Sequence, residues 1–344
     1  MSGRPTLEEV AVRSGVSRAT VSRVVRQERS VDPNLVRVVN KAIEDLGYVP
    51  NAAARSLMTR RSGAVALIAA ESDKRVFGDP FFASIVRGAS HHLSDAGVQL
   101  ALSMAQSAED LSRLRSFLSA GAVDGAMVIS EHEDLDVLGT LAAADVPLVF
   151  GGRPFTDSPE VTYVDHENRQ GGAMAARRLL DRGCTRIGTV CGPQDMSAGV
   201  DRLAGFGDVL GGGFDKSRVE MADFTTEGAV IATAALLARH PDLDGLFVAS
   251  DLMALGAIRA LAGRGLTVPN DVAVVGFDDN DVAAAVVPAL TTIRQRTHLQ
   301  GSLMARLLLG QLGHEDDAVW PDGVRRLKSG SLILDVELVA RESG

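Results

Sequence analysis

Thr6-Leu7-Glu8-Glu9-Val10-Ala11-Val12-Arg13-Ser14-Gly15-Val16-Ser17-Arg18-Ala19-Thr20-Val21-Ser22-Arg23-Val24-Val25 reads as two short helices around a tight turn. Thr6 and Glu9 have the spacing of a capping box, in which the hydroxyl meets the third amide and the carboxylate reaches back. The first helix then runs to about Ser14 and buries Leu7, Val10 and Ala11. Gly15 supplies the positive φ of the turn, Val16 packs inward, and Ser17 caps a second helix from Arg18 to Val25. Val21, Val24 and Val25 share one face of it, which leaves Arg18, Ala19, Ser22 and Arg23 outward. Asp32-Pro33 opens a third helix with a cap and a proline in the first turn. It is predicted to bury Leu35, Val38, Val39, Ile43 and Leu46 and to end at Gly47. The pattern is an all-α helix-turn-helix headpiece, whose bland counterpart is a three-helix bundle with a solvated basic face.

Charge separates the two. The chain has 344 residues and a net charge of −9, which averaged over its length argues against nucleic acid. Residues 1–61 hold eleven Lys/Arg against six Asp/Glu, and residues 62–344 hold 24 against 38. A basic module on an acidic body is what arises when only one part touches phosphates. The second helix, starting with Arg and small polar residues, suits the major groove, where Arg bonds guanine in bidentate fashion.

Pro50 to Leu57 contains strong helix formers but is too short to be helical alone in water, so it reads as a linker able to fold on contact. Thr59-Arg60-Arg61-Ser62-Gly63 follows as a joint. The length implies two or three domains. Every apolar stretch is interrupted by a charge before it reaches membrane-spanning length, and the first residues have no apolar signal core. Cys184 and Cys191, the only cysteines, read as small residues flanking a buried strand, too few for a disulfide framework or zinc site. A cytoplasmic protein with no metal and no cofactor is expected.

From Gly63 onward short β-branched runs alternate with amphipathic helices. Ala64–Ala70, Val98–Ser103, Ala126–Ile129 and Leu148–Phe150 read as strands, with helices at about Phe81–Ala96, Asp110–Ala120 and Leu135–Ala143. The rhythm restarts at Arg186–Cys191, Val219–Asp223, Gly245–Ala249 and Val272–Phe277. Two such runs imply an α/β bilobed body of two doubly wound parallel-sheet subdomains. After Thr292 a helix at about Leu299–Leu312 returns to the first lobe, and a strand Leu332–Val339 re-enters the second. The expected domains are residues 1–49, a hinge and linker at 50–62, and a body at 63–344. Within the body, the first lobe takes about 63–163 and 293–321, the second about 164–292 and 322–344.

Twin α/β lobes place a ligand crevice at the carboxyl ends of their strands. The candidates there are Glu71 to Phe82, Ser130 to His132, Gly152-Arg153, Arg202, Phe224, Ser250-Asp251 and Phe277-Asp278. Arg and Asp with one or two aromatics suit a sugar, because planar charged groups pair with hydroxyls and a ring covers the C–H face. Asp251 is predicted to cap the helix that follows it. No Gly-rich phosphate fingerprint follows the first strand of either half, and no acidic pair carries an acid/base or nucleophile signature.

Thr6-Leu7-Glu8-Glu9-Val10-Ala11, Gly15-Val16-Ser17, Thr20-Val21-Ser22-Arg23-Val24 and Gly47-Tyr48-Val49-Pro50-Asn51 resemble, in order and spacing, the headpiece of the LacI/GalR repressor family. The resemblance implies that Thr6, Ser17, Thr20 and Arg26 meet phosphates and that Arg18, Ala19, Ser22 and Arg23 face base edges. Arg26 stands where the family commonly has Asn. It also implies a hinge helix holding Asn51, Ala54 and Leu57 on the minor-groove side, with Leu57 as the apolar wedge.

Gly192-Pro193 with Arg202-Leu203-Ala204-Gly205-Phe206, Ser250 to Ala257, Val274 to Asp279 and Leu290 to Ile293 are similar to the family's effector lobe. By that likeness Arg202 and Asp278 hold sugar hydroxyls and Phe224 stacks, Ser250 replaces a common Asn, and Phe81, Gly152 and Arg153 complete the site. Glu71-Ser72-Asp73, Asp79 to Phe82, Gly151 to Pro154 and Gly192 to Met196 look like actinobacterial repressors of cellobiose and related glucoside use. The function implied is a homodimeric regulator, not an enzyme. It would bind a palindromic double-stranded operator and be released by a gluco-oligosaccharide such as cellobiose. The expected body is periplasmic-binding-protein-like, so a bilobed sugar-binding protein without regulatory role is the alternative, beside a ligand-activated or co-repressor-dependent regulator. The absence of a heptad tail before Gly344 favours a dimer over a tetramer.

Overall fold

Local capping sets the ends of the first three helices. The computed structural model describes residues 5–25, 30–48, 61–133, 135–155, 161–314 and 319–344. Arg26, Asn51, Ala54 and Leu57 lie outside them, as does most of the expected hinge. The chain divides into two compact units, Met1–Ser62 and Gly63–Gly344. In the first unit α1 (Leu7–Ser14) begins at the Thr6–Glu9 capping box and ends at Gly15, φ 68°. α2 (Arg18–Val25) starts where Ser17 Oγ accepts from Thr20 N at 3.2 Å. α3 (Pro33–Leu46) is capped by Asp32 and stopped by Gly47 in the left-handed region. Val10, Val21 and Val39 form a fully buried centre. Leu35 and Val38, predicted to be buried, are 38 % and 42 % exposed. The stripe of α3 that packs is instead Val36, Val39, Ala42, Ile43 and Leu46, because two eight-residue helices can cover only one side of it.

In the second unit β1 (Ala64–Ala69), α4 (Asp73–Gly78), α5 (Pro80–Asp95), β2 (Gln99–Met104), α6 (Ala108–Ser119), β3 (Ala126–Ile129), α7 (Val137–Ala142), β4 (Leu148–Gly151) and β5 (Thr162–His166) build the first lobe. The second follows with α8 (Asn168–Asp181), β6 (Ile187–Cys191), α9 (Ser197–Leu210), β7 (Val219–Met221), α10 (Thr226–Arg239), β8 (Gly245–Val248), α11 (Asp251–Gly263), β9 (Ala273–Asp278), α12 (Asp281–Ala285) and β10 (Thr291–Arg294). α13 (Thr297–Gln311), β11 (Val324–Arg326) and β12 (Leu332–Leu334) return to the first lobe, and β13 (Glu337–Val339) closes the second. The sheets run β11-β12-β5-β4-β3-β1-β2 and β13-β10-β9-β8-β6-β7. All pairings are parallel except β11 with β12 and β10 with β13. Each sheet is covered on both faces by apolar clusters, as parallel strands require.

Two expectations about the lobes are corrected. The run Leu332–Val339 is two strands, β12 in the first sheet and β13 in the second, because the chain crosses at Asp335-Val336. Residues 324–334 therefore lie in the first lobe's sheet rather than the second's. Likewise β5 keeps residues 164–166 in the first sheet, and β10 keeps Ile293 and Arg294 in the second.

Both lobes use glycine to bring helices together. A Cβ on Gly88 of α5 would stand 1.9 Å from the His298 carbonyl oxygen of α13, and one on Gly301 would stand 2.2 Å from that of Ile85. In the second lobe Gly172 of α8 and Gly205 of α9 would meet the carbonyls of Arg202 and Arg169 at 2.0 and 1.8 Å. Only a residue without Cβ permits that approach, and it fixes Arg202 at the lobe's inner edge.

Candidate functional site

On the headpiece the outward row of α2 is solvated as its sequence demands. Ser17, Arg18, Ala19 and Arg23 are exposed, while Thr20 and Ser22 are half-buried. Ser17 and Thr20 hydroxyls lie 2.9 Å apart, and exposed Arg18 is loosely paired with Glu8 of α1 at 3.6 Å. Thr6 is exposed and tied to Glu9 at 2.6 Å through its amide. The unit thus presents Arg18 and small hydroxyls at the start of α2 and Arg23 in its last turn, a donor set that suits phosphates and guanine edges.

The body's cleft follows from strand order. In the first sheet β1 and β3 leave in opposite directions, and in the second β6 and β8 do, so each lobe has its switch point there. Loops beyond these strands supply Ser130, Glu131, Met196 and Ser197 to one cavity of about 70 Å³. Backbone strain gathers at the same ends. Of the non-glycine residues with positive φ, Ser130, Phe224, Asp278 and Asp279 lie at or just beyond strand ends, and Asp145 alone among the described residues lies elsewhere, between α7 and β4. Such a conformation is retained where the surrounding structure imposes it.

Arg202 is the centre of the cavity floor and is buried. It donates from Nη1 to the Ala249 carbonyl at 2.7 Å and from Nε to Asn168 at 2.9 Å. Its Nη2 reaches Gln295 at 3.4 Å, and its guanidinium lies 3.7 Å from the Phe277 ring centroid. Asp278 approaches Nη1 at 3.8 Å and accepts from Gln295 at 2.5 Å. Burial raises the Asp278 carboxyl to about 7 against the pull of Arg202. Asp165 is raised to about 6, and Asp251 and Asp79 are also raised, all chiefly by burial. Arg202 thus faces a ring of reluctant carboxylates, with Arg75 also acting on Asp79 and Arg153 on Asp165.

A second polar system joins the lobes above this floor. His132, after β3, meets Glu71 of its own lobe at 3.0 Å and Asp195 of the other at 2.7 Å. Two carboxylates raise its pKa to about 9, the Glu71 bond contributing most. Arg75 is paired with Glu71 and stacks 4.9 Å from the Phe224 ring of the second lobe. Arg153 bonds Asp201 at 2.7 Å, and Ser197 donates to the Arg153 carbonyl at 2.5 Å. The cavity is well below the ~300–1,000 Å³ of small-molecule pockets, so a disaccharide enters only if these contacts give way.

Residues 6–51 match the bacterial regulatory proteins of the lacI family, and residues 158–343 match the periplasmic binding protein-like domain. The HTH-type transcriptional regulator CelR of Thermobifida fusca is 44 % identical over 345 residues, 99 % of this chain and 98 % of that protein. This chain belongs to the lacI family of transcriptional regulators. A solved CelR–cellobiose complex superposes on the regulator with a TM-score of 0.76 at 42 % identity, covering 99 % of this chain and 100 % of that one. The Lac repressor dimer bound to operator and an anti-inducer gives 0.83 at 28 % identity, with 99 % of each chain covered.

Of the effector residues named from the regulator's sequence, Phe81, Gly152, Arg153 and Arg202 line the cavity. Asp278 sits behind Arg202. Phe224 is buried between Arg75 and Arg202, 5.9 Å from the latter. Ser250 is the N-cap of α11, accepting from Met253 N at 3.2 Å. That corrects Asp251, which is not the cap. It is inside α11, where its carboxylate accepts from Thr292 Oγ1 at 2.6 Å and Asn280 N at 3.1 Å. Sequence reasoning missed Asp165, His166, Asn168, Gln295 and Gln300, all of which line the cavity. The chain also crosses between the lobes after β5 and after β10, and these residues sit on or beside those two crossings, not after βα strands. Their one signal was polarity in otherwise apolar runs, such as Gln300 beside Leu299, Leu303 and Met304.

Proposed function

We propose that the protein is a sugar-responsive transcriptional repressor that binds a palindromic operator as a homodimer and is released by a gluco-oligosaccharide such as cellobiose. The observation that carries the reading is the near-complete likeness to CelR, including the structure of CelR with cellobiose, joined to a cleft whose Arg202 floor suits sugar hydroxyls. Thr6, Ser17, Thr20 and Arg26 take phosphates, and Arg18, Ala19, Ser22 and Arg23 take base edges. Asn51, Ala54 and Leu57 act from a hinge at residues 50–62, between the headpiece of residues 1–49 and the body. Phe81, Gly152, Arg153, Arg202, Phe224, Ser250 and Asp278 form the effector site, the last three partly by positioning the others. The protein is a cytoplasmic regulator and not an enzyme; no helix among the described residues is long and apolar enough to cross a membrane.

Sugar and operator oppose each other, so by linkage the operator weakens sugar binding by the factor by which sugar weakens operator binding. Anisotropy of a labelled operator, titrated with gluco-oligosaccharides, tests the reading. Release is the expected result. Tightening on sugar would make it a co-repressed regulator, and indifference to every sugar would remove the effector assignment.

A further inference from the structure

Two buried polar atoms of cavity-lining residues have no hydrogen-bond partner among the described residues: Nε2 of His166 and Oε1 of Gln300. Both residues line the cavity, and they are 4 % and 2 % exposed. The Gln300 amide is oriented, because its Nε2 donates to the Val164 carbonyl at 2.8 Å, which leaves Oε1 as the unused end. Val164 precedes His166 by two residues on β5, so the anchor of one lies within about 7 Å of the backbone of the other. Neighbouring polar groups are already paired: Asn168 with Asp165 and Arg202, Gln295 with Asp278.

The chemistry of the two atoms narrows what they bind. Burial, and then the charges of Arg202 and Arg296, push the His166 ring down to about 3, so it is neutral at physiological pH. A neutral imidazole has one N–H and one bare nitrogen, and an amide oxygen only accepts. A hydroxyl donates and accepts, so it satisfies Nε2 in either tautomer and Oε1 as well. A carboxylate, ether or phosphate oxygen offers Oε1 nothing.

Resting on the sugar reading, we infer that His166 and Gln300 form a subsite at the crossing end of the cleft that binds two hydroxyls of one sugar ring. The ring would be selected by its unmodified hydroxyls, since deoxygenation there leaves a buried polar atom bare and methylation removes the hydroxyl proton that Oε1 needs. Each lost bond weakens binding about tenfold or more.

Calorimetric titration of the full chain with cellobiose and its monodeoxy derivatives is the test. Two derivatives, both deleted on the same ring, should bind the wild type about tenfold or more weakly. Gln300→Met and His166→Phe should each bind cellobiose correspondingly worse and no longer distinguish it from one of those derivatives. The deoxy series uses wild-type protein, so it stands even where a variant fails to fold. Cellobiose binding in which no two same-ring deletions matter, or in which both variants still discriminate fully, overturns the subsite and leaves the sugar reading intact. A wild type that binds no gluco-oligosaccharide overturns both.

Discussion

Replacing Asp278 by Asn should make the regulator more stable at pH 8 while disabling its cleft. The Asp278 carboxyl is buried at the end of β9 and is held at about 7, mainly by loss of solvent and further by the charge of Asp79. The unfolded chain releases this proton near 3.8. Between these values the folded state keeps a proton that the unfolded state has lost. Stability therefore falls as pH rises from about 4 to about 7, and the loss is complete above that. Three units at about 1.4 kcal/mol each set a ceiling near 4 kcal/mol, and local rearrangement around the ionised group reduces it to roughly 2–4 kcal/mol. Asn has the shape of the neutral acid, so the two proteins should match near pH 4 and diverge to that extent by pH 8. In a body of this size the divergence amounts to roughly 4–8 °C in thermal midpoint. Scanning calorimetry of both proteins from pH 4.5 to 8.5, without sugar, reads it directly. Parallel pH profiles, or a less stable Asn variant at pH 8, would show that the Arg202 pairing outweighs burial and would refute the reasoning.

Asp195→Asn should bring the His132 pKa down from about 9 toward its ordinary 6.5. In the wild type the stabilisation from this ring is complete below 6.5 and vanishes as pH rises through 9, and NMR titration of the imidazole checks both statements. An unmoved His132 would mean that Glu71 alone holds the proton. Gly172→Ala forces a Cβ against the Arg202 carbonyl, 2.0 Å away, and should cost roughly 2–4 kcal/mol in urea unfolding; a wild-type midpoint would show that α8 and α9 can part freely. Arg23→Ala should relax operator preference by roughly 1–3 kcal/mol at one base position, measured by competition among operator variants, and equal preference before and after would remove Arg23 from the base-reading set.

The headpiece was legible because its signals are local. Thr6 with Glu9, Gly15, Ser17, Asp32-Pro33 and Gly47 each act within four residues, and each does in the structure what short-range sterics and capping require. The body's inner strands were legible by their β-branched runs. β5 was not, since Thr162-Tyr163-Val164 passes into Asp165-His166-Glu167-Asn168, whose polarity belongs to the cleft and disguises a strand as a loop. The run Leu332–Val339 shows a different limit. Apolar alternation says that a segment pairs but not with which sheet, and the change of partner at Asp335-Val336 depends on where two lobes lie in space. Asp251 was misread for a local reason: Ser250, one residue earlier, is the better-placed cap and frees the carboxylate for Thr292.

The missed residues change how the cleft is understood to work. Two of the three crossings carry cavity-lining side chains, Asp165, His166 and Asn168 on the first and Gln295 on the second. Arg202, from the second lobe, grips Asn168 and Gln295, so the floor and the joints are one hydrogen-bonded piece. A ligand bound there contacts the segments whose torsions set the angle between the lobes. It shifts that angle only by as much as it binds one arrangement better than another. Contacts between Asp195 and His132 and between Asp201 and Arg153 already bring the lobes together, so bringing them together is not by itself what a sugar contributes. What it can contribute is a particular angle, chosen by which hydroxyls meet His166 and Gln300. Sugars of similar affinity but different hydroxyl geometry should therefore differ in how far they release the operator.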